Sequence, residues 1–474
     1  MSQTKPDTVV EVGEAGSGGL DRFFKITQRG STFRTEIVAG LATWLTMAYI
    51  LFLNPAILGA VADPSGQTLG FAPVLTVTAL AAGVMTIAMG VGANYPFALA
   101  AGLGLNGFVA FTLVGTLGLS WEQAMGVIVI EGLVISLLVL TGFREAVLNA
   151  IPMDLKRAIG IGIGLFLAII GLANGGIVIA GQATPITIVP HLATLRILTF
   201  VVGLAITSAL VARKTKGALL IGILLTTVFA MILNIGWGNE LIWDAVGPGI
   251  AQFPSKLVSS PDFSLIGNFD FGVFQALGLA TAFAAILAVM LSDFFDTMGT
   301  AVGLAEEAKL LRADGTLPGM KRVLFIDGLA AAVGGAMSAS SNTTYIESAA
   351  GIGEGGRTGL TSVVVGALFL VAVFFSPIAG IIPPEATAPI LVIVGYFMMQ
   401  SVGQIDWRDP AMGIPALLTI VMMPFTYSIT NGVGAGFLSY VVIKVLQGKF
   451  RDVHPLLYFV AAIFAWYFFH GLLA

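Results

Sequence analysis

Residues 340–356 read SSNTTYIESAAGIGEGG, a polar and glycine-rich stretch within an otherwise apolar chain. Five polar residues are followed by one carboxylate, Glu347, and then by small residues. On each side lie about 20 apolar and nearly uncharged residues, enough to cross a bilayer. An ionisable residue at that depth is typical of a functional site. Irregular backbone is tolerated there only beside protein or a water-filled cavity, so we expect a broken membrane segment that lines a binding site.

The composition of the whole chain is that of a membrane protein. Of the 474 residues, 57% are hydrophobic and 10% are charged, whereas soluble domains carry roughly 25% charged residues. The apolar stretches are continuous rather than alternating, which favours an all-α polytopic protein over a transmembrane barrel. The chain has no cysteine, and its three histidines lack a metal-ligand spacing. We therefore expect no disulfide, no thiol chemistry and no metal. We also expect no cofactor, no nucleic-acid partner and no enzymatic activity.

Hydropathy predicts fourteen membrane segments. They lie near residues 35–56, 71–91, 96–114, 123–142, 157–180, 193–212, 218–235, 272–300, 322–339, 345–356, 359–377, 387–402, 411–427 and 431–447. The apolar stretch 455–473 is either a further span or an interfacial helix. Residues 1–20 are polar and Gly/Ser-rich and lack the apolar core of a cleavable signal. They are predicted to be a disordered cytoplasmic tail.

The distribution of basic residues supports this map. Only Arg196 and Lys256, of the 22 Lys and Arg residues, fall in loops predicted to be external. Cytoplasmic loops carry an excess of Lys and Arg, so the N-terminus is predicted to be cytoplasmic. The expected location is the cell membrane.

An internal repeat divides the segments into two sets of seven. A shift of 249 residues aligns 80–84 with 329–333 and 100–104 with 349–353. Because seven is an odd number, the two halves must have opposite topology. Inverted repeats with Gly-interrupted segments at matching positions indicate a secondary transporter with a site near the bilayer midplane.

Three acids within the spans are the main candidates for that site. Asp293 and Asp296 are three residues apart, which predicts one helix face. Two carboxylates this close resist joint ionisation, so the pair can hold a proton near neutral pH. Glu347 can accept N–H groups from a flat heterocycle. The alternatives are a buried cation for the two aspartates and a helix cap for Glu347.

Further polar and aromatic residues complete the candidate substrate-binding set. Asn106 in GLGLNG offers a donor and an acceptor, either to a ligand or to a neighbouring helix. Thr344 belongs to the polar stretch, and Phe294 flanks the acidic pair. A base can stack on an aromatic ring, although packing is the commoner role of a membrane Phe. Glu131 is expected to bridge helices or to belong to a proton path.

Two other acids are expected to form ion pairs. Asp327 is expected to form an ion pair with Lys321 or Arg322, which precede it closely. Glu354 is expected to pair with Arg357, three residues later.

The chain resembles the nucleobase–cation symporters, specifically the AzgA-like branch of hypoxanthine, adenine and guanine permeases. The resemblance rests on DFFDTMGT (293–300) and TTYIESAAGIGEGGRTGL (343–360). It extends to FRTEIVAGLATWLTMAYILFLNP, AAGLGLNGF, IPMDLKRAIGIGIGLF and MMPFTYSITNGVG, and so covers nearly the whole chain.

This resemblance implies a core domain of segments one to four and eight to eleven, and a gate domain of the remaining six. Short antiparallel strands would cross in the third and tenth segments. The implied divisions are 21–142 and 272–377 for the core halves, 143–235 and 378–451 for the gate halves, 236–271 for an external connection, and 452–474 for a C-terminal apolar segment.

The resemblance also implies import of purine nucleobases by proton symport. Asp293 and Glu347 would hold the base, and Asp296 and Asn106 match further specificity positions. Proton coupling would involve Asp293, Asp296 and Glu347, with sodium as a less favoured coupling ion. The lipid bilayer and a possible homodimer are the other expected partners. The alternative is an anion carrier of the sulphate-permease type with the same architecture, which the three carboxylates disfavour.

Overall fold

The computed structural model describes residues 18–141, 151–181, 186–236, 243, 250–254, 256–312 and 317–469. The predicted tail lies almost entirely outside these residues. The helices are α1 (Gly19–Phe24), α2 (Phe33–Met47), α3 (Ile50–Leu58), α4 (Phe71–Gly92), α5 (Leu103–Gly107), α6 (Trp121–Thr141), α7 (Met153–Asn174), α8 (Leu195–Ala212), α9 (Ala218–Gly236), α10 (Val273–Glu307), α11 (Met320–Ala336), α12 (Ser348–Gly353), α13 (Gly359–Ala372), α14 (Ser376–Ala379), α15 (Pro384–Met399), α16 (Pro410–Thr426), α17 (Ile429–Leu446) and α18 (Pro455–Phe469).

Four short strands and a π-helix accompany these helices. The strands are β1 (Leu99–Ala101), β2 (Val178–Ala180), β3 (Ile186–Ile188) and β4 (Asn342–Thr344). The π-helix, Phe108–Thr116, continues directly from α5. Such segments are rare and often occur at functional sites.

Nine helical stretches in the described part of the chain are long and apolar enough to cross a membrane. The chain is therefore an all-α polytopic membrane protein. Shorter apolar helices, including α9, α16 and α18, accompany them. The two predicted broken segments contain the short helices α5 and α12, which length alone would not identify as spans.

The helices pack most extensively within two groups. In the first, α6 packs on α11, and α4 packs on α13, which also contacts α2. In the second, α7 packs on α15 and α16, α16 on α17, and α8 on α9. Close approach of α6 and α11 depends on Gly132, because a Cβ atom there would lie 2.2 Å from the Ala332 nitrogen. The helix α10 contacts both groups.

Two segments differ from the sequence-based prediction. The fifth ends its helix at Asn174 rather than near residue 180, and β2 then pairs antiparallel with β3 in a hairpin. The β-branched residues of both strands favour extended backbone over helix. The eighth segment is longer than predicted, because α10 continues to Glu307.

The C-terminal apolar stretch forms α18, which packs against α17. The rings of Phe437 and Phe464 meet edge to face with centroids 6.2 Å apart. With 15 residues, the described helix is shorter than the about 20 residues that span a bilayer.

Candidate substrate-binding site

Two short strands from distant parts of the chain meet at the candidate site. The strand β1 pairs antiparallel with β4, and Leu99 lies opposite Thr344. The Gly102 N–H extends the pairing by donating to the Ser341 carbonyl at 2.9 Å. The strands predicted for the third and tenth segments are therefore present. Their pairing satisfies backbone groups that a membrane interior could not satisfy.

A buried acid, Asp327 on α11, fixes β4. Its carboxylate accepts hydrogen bonds from the Thr344 N–H at 2.9 Å, the Thr344 hydroxyl at 2.8 Å and the Thr297 hydroxyl at 2.7 Å. Asp327 is fully buried, whereas Lys321 and Arg322 are exposed. The carboxylate therefore holds β4 in place, a role that sequence reasoning missed, while the expected partners Lys321 and Arg322 lie at the exposed start of α11.

Glu347 lies directly before α12, with a half-buried side chain. The hydroxyl of Tyr49, which lies between α2 and α3, donates to Glu347 Oε1 at 2.5 Å. The Thr46 hydroxyl donates to the Glu347 carbonyl at 3.3 Å. The first membrane segment thus orients the carboxylate. Sequence reasoning missed Tyr49, because one tyrosine in an apolar segment looks like a packing residue.

A recess of about 130 Å³ lies beside the paired strands β1 and β4, which we call the strand crossing. It is lined by Glu347, Tyr49 and Asp296. It adjoins a cavity of about 670 Å³ that shares Asp296 and Thr300 with it. The volume of the larger cavity falls in the range of small-molecule sites. The larger cavity extends to Lys156 near the start of α7 and to Gln404 beyond α15, at the end predicted to be cytoplasmic.

The structure brings three of the predicted site residues to this recess. Asp296, Thr344 and Glu347 line it, although the Thr344 hydroxyl is already bonded to Asp327. Phe294 is buried away from the lining.

Asp293 and Asn106 do not line the described cavities. Both are fully buried. Asp293 faces Glu131 of α6, while Asp296, one turn later, is exposed to the cavity. Neither amide atom of Asn106 has a hydrogen-bond partner among the described residues. The two carboxylates that were predicted to share one face of α10 thus lie in different surroundings.

An ion pair joins the two groups of helices on the side predicted to be cytoplasmic. Lys216, in the loop between α8 and α9, pairs with Glu354 at the end of α12. The predicted Glu354–Arg357 pair is therefore wrong. The Arg357 guanidinium donates instead to the carbonyls of Ile352 at 2.6 Å and Gly356 at 2.7 Å.

Three aromatic rings fill the space between the helix groups on the other side of the crossing. Phe111 and Phe166 lie farther along their helices than the residues that line the cavity, with ring centroids 6.3 Å apart. Tyr427 meets both rings edge to face, at 6.4 Å and 5.6 Å. The Thr112 hydroxyl donates to the Tyr427 carbonyl at 3.3 Å. The cavity is thus open toward Lys156 and packed on the opposite side.

The sequence matches one family model and several known proteins over most of its length. A model described as "Permease family" (Xan_ur_permease) matches residues 34–434. Adenine permease AdeQ of Escherichia coli is 40% identical over 451 residues, which cover 95% of this chain and 96% of that protein. Guanine/hypoxanthine permease PbuG of Bacillus subtilis is 38% identical over 452 residues, with 95% and 99% coverage.

Comparison with solved structures supports the same architecture. The transmembrane domain of the cyanobacterial bicarbonate transporter BicA aligns with a TM-score of 0.59. The alignment covers 85% of this chain and 97% of that domain at 15% sequence identity. At this level of identity the likeness concerns the fold alone.

Proposed function

Because this chain belongs to the nucleobase–cation symporter family, in its AzgA-like branch, we propose that it imports purine nucleobases across the cell membrane. The family assignment confirms the one that the sequence motifs predicted, and it makes the protein a permease rather than an enzyme. Relatives named for adenine and for guanine and hypoxanthine match over nearly their whole lengths. Hypoxanthine, guanine and adenine are accordingly the proposed substrates.

The observation that carries this proposal is the recess that pairs Glu347 with Asp296 beside the strand crossing. Purine rings present N–H groups, and a carboxylate accepts such groups without offering a competing donor. Tyr49 occupies Glu347 Oε1, so Oε2 is the proposed acceptor for a ring N–H. Thr344 remains a proposed contributor in the lining, and Asp293, Asn106 and Phe294 remain proposed contributors from behind it.

We assign the fourteen segments to two inverted seven-segment repeats, arranged as core and gate domains. The core comprises 21–142 and 272–377, and the gate comprises 143–235 and 378–451, with 236–271 as an external connection and 452–474 as a C-terminal segment. The two groups of packed helices support this division. The N-terminus is assigned to the cytoplasm from the distribution of basic residues.

The proposed mechanism is alternating access driven by a proton gradient. A proton bound among Asp293, Asp296 and Glu347 reduces repulsion between carboxylates and lets the base bind. The loaded core then moves against the gate, because a neutral site crosses the low-dielectric interior at lower cost than a charged one. The cavity that is open toward Lys156 corresponds to an inward-facing state of this cycle.

The fold by itself does not select the substrate, since it is shared with a bicarbonate transporter. The alternative function is that of an anion carrier of the sulphate-permease type. The carboxylates of Asp296 and Glu347 in one recess would repel an anion, and they favour a ligand with N–H donors.

Uptake of radiolabelled hypoxanthine into proteoliposomes tests this function. The wild-type protein is expected to accumulate hypoxanthine only under an inward proton gradient, and Glu347→Gln is expected to abolish uptake. Glu307→Gln is the matched control, because this residue is exposed at the end of α10 and lies away from the recess. Uptake that follows a sodium gradient would overturn proton coupling. Absence of purine uptake from folded protein would overturn the substrate.

A further inference from the structure

Two carboxyl groups outside the cavity face each other inside the helix bundle. Glu131 lies in the middle of α6, Asp293 lies on α10, and both side chains are fully buried. Their side chains interact where α6 and α10 are in contact. The Ser341 hydroxyl, also fully buried, faces Glu131 without a hydrogen bond of ordinary geometry to any described residue.

Among the described residues, the groups that face Glu131 include no cation. Asp293 faces it from α10, Asp327 from α11 and Ser341 from the turn before β4. The adjoining π-helix, FVAFTLVGT, carries no titratable residue. Neither α6 nor α10 contains a Lys, Arg or His, and the two basic residues of α11 are exposed at its start. Asp327 is already occupied by donors from Thr297 and Thr344.

Two adjacent carboxylates cannot both be ionised in a low-dielectric interior. Paired aspartates in aspartic proteases share one proton for this reason. A hydrogen bond between two carboxyl groups also requires a proton on one of them, since ionised carboxylates only accept. The proton then belongs to the pair rather than to either residue.

The pair lies close to the cavity without being part of it. Asp293 precedes Asp296 by three residues, about 4.5 Å along the helix axis. Ser341 is directly followed by β4, whose last residues line the recess. A proton on the pair is therefore held one helical turn from the acid that the cavity exposes.

We propose that Glu131 and Asp293 form a buried site for one proton, which stores the coupled proton apart from the purine recess. Glu131 is in this view a positioning residue, because it retains the proton that Asp293 would otherwise lose. Its role in coupling rests on the proposed function, whereas the shared proton does not.

Infrared spectroscopy of the purified protein tests the shared proton directly. A protonated carboxyl group has a C=O stretching band that a carboxylate lacks. We expect the wild type to show this band at neutral pH, and both Glu131→Gln and Asp293→Asn to lose the component that the pair contributes, whereas Asp296→Asn keeps it. In each variant the new amide donates to the remaining carboxylate and replaces the proton. Glu122→Gln, on the exposed first turn of α6, should leave the band unchanged.

Transport measurements separate coupling from purine recognition. In proteoliposomes, Glu131→Gln should reduce gradient-driven accumulation to the level without a gradient, while exchange of labelled for unlabelled hypoxanthine continues. Continued exchange also shows that the variant is folded. If Glu131→Gln fails to fold, the Asp293→Asn spectrum still decides the matter.

The outcomes distinguish this inference from the proposed function. A wild-type spectrum without the band, or a band that neither Glu131→Gln nor Asp293→Asn weakens, would overturn the shared proton even if uptake is proton-driven. Full gradient-driven accumulation by Glu131→Gln would overturn its role in coupling. A lost band together with no purine uptake by the wild type would leave the pair intact and overturn the substrate assignment.

Discussion

Replacement of Tyr49 by Phe removes one hydroxyl and leaves the ring in place. In the structure this hydroxyl donates to Glu347 Oε1 at 2.5 Å from a side chain that is 1% exposed. A hydrogen bond to a charged group contributes about 1.5–3 kcal/mol. If this bond pre-orients the carboxylate, its loss should weaken purine binding by roughly ten- to a hundredfold.

The assay is equilibrium binding of radiolabelled hypoxanthine to purified wild-type protein and Tyr49→Phe. Tyr458→Phe is a matched control, because its hydroxyl donates to the Phe450 carbonyl at 2.8 Å, outside the cavity. The control should bind as the wild type does. Equal or tighter binding by Tyr49→Phe would refute the reasoning, since it would mean that Tyr49 competes with the purine for Glu347.

Two other predictions concern the strand crossing and the Lys216–Glu354 ion pair. Asp327→Ala leaves the buried N–H and hydroxyl of Thr344 unsatisfied at about 1–3 kcal/mol each, while the Thr297 hydroxyl keeps the Thr343 hydroxyl as a partner. It should therefore destabilise the protein far more than Asp327→Asn, and equal thermal unfolding midpoints would contradict this. The Lys216–Glu354 pair is partly exposed, so its contribution is small. Lys216→Glu should change the rate at which a reagent reaches the cavity by at most about fivefold. The double variant with Glu354→Lys, which swaps the two charges, should restore that rate. Labelling of Ser401→Cys measures this in a chain without other cysteines, and failure of the swap to restore labelling would exclude a direct role for the pair.

The sequence predicted the site best where a residue type conflicts with its surroundings. Glu347 stands out because a carboxylate interrupts a long apolar region, and the structure places it at the recess. The strands around it are only three residues long, too short for any periodicity. Their prediction depended on the family resemblance rather than on pattern.

Residues whose role depends on a distant partner could not be predicted. Tyr49 meets Glu347 across 298 residues of sequence, and no local pattern signals that contact. For Asp327, nearness in sequence suggested basic partners, whereas helix geometry turns its side chain toward β4. Asp293 and Asp296 are about 60° apart around α10, which is enough for one to face Glu131 and the other the cavity.

The strand crossing also has a consequence for biogenesis. The Tyr345 hydroxyl donates to the Ala101 carbonyl across 244 residues at 2.5 Å, and in the described part of the chain β1 pairs with β4. The N–H and carbonyl of Leu99 also bond to the Thr86 hydroxyl, whereas Ala100 lies opposite Thr343 of β4. While the ribosome is still adding the second half, the inserted first half therefore carries a strand with unpaired backbone groups, which are costly in lipid. The recess is assembled late, after the tenth segment has inserted, and a chain truncated before β4 would have no purine site to occupy.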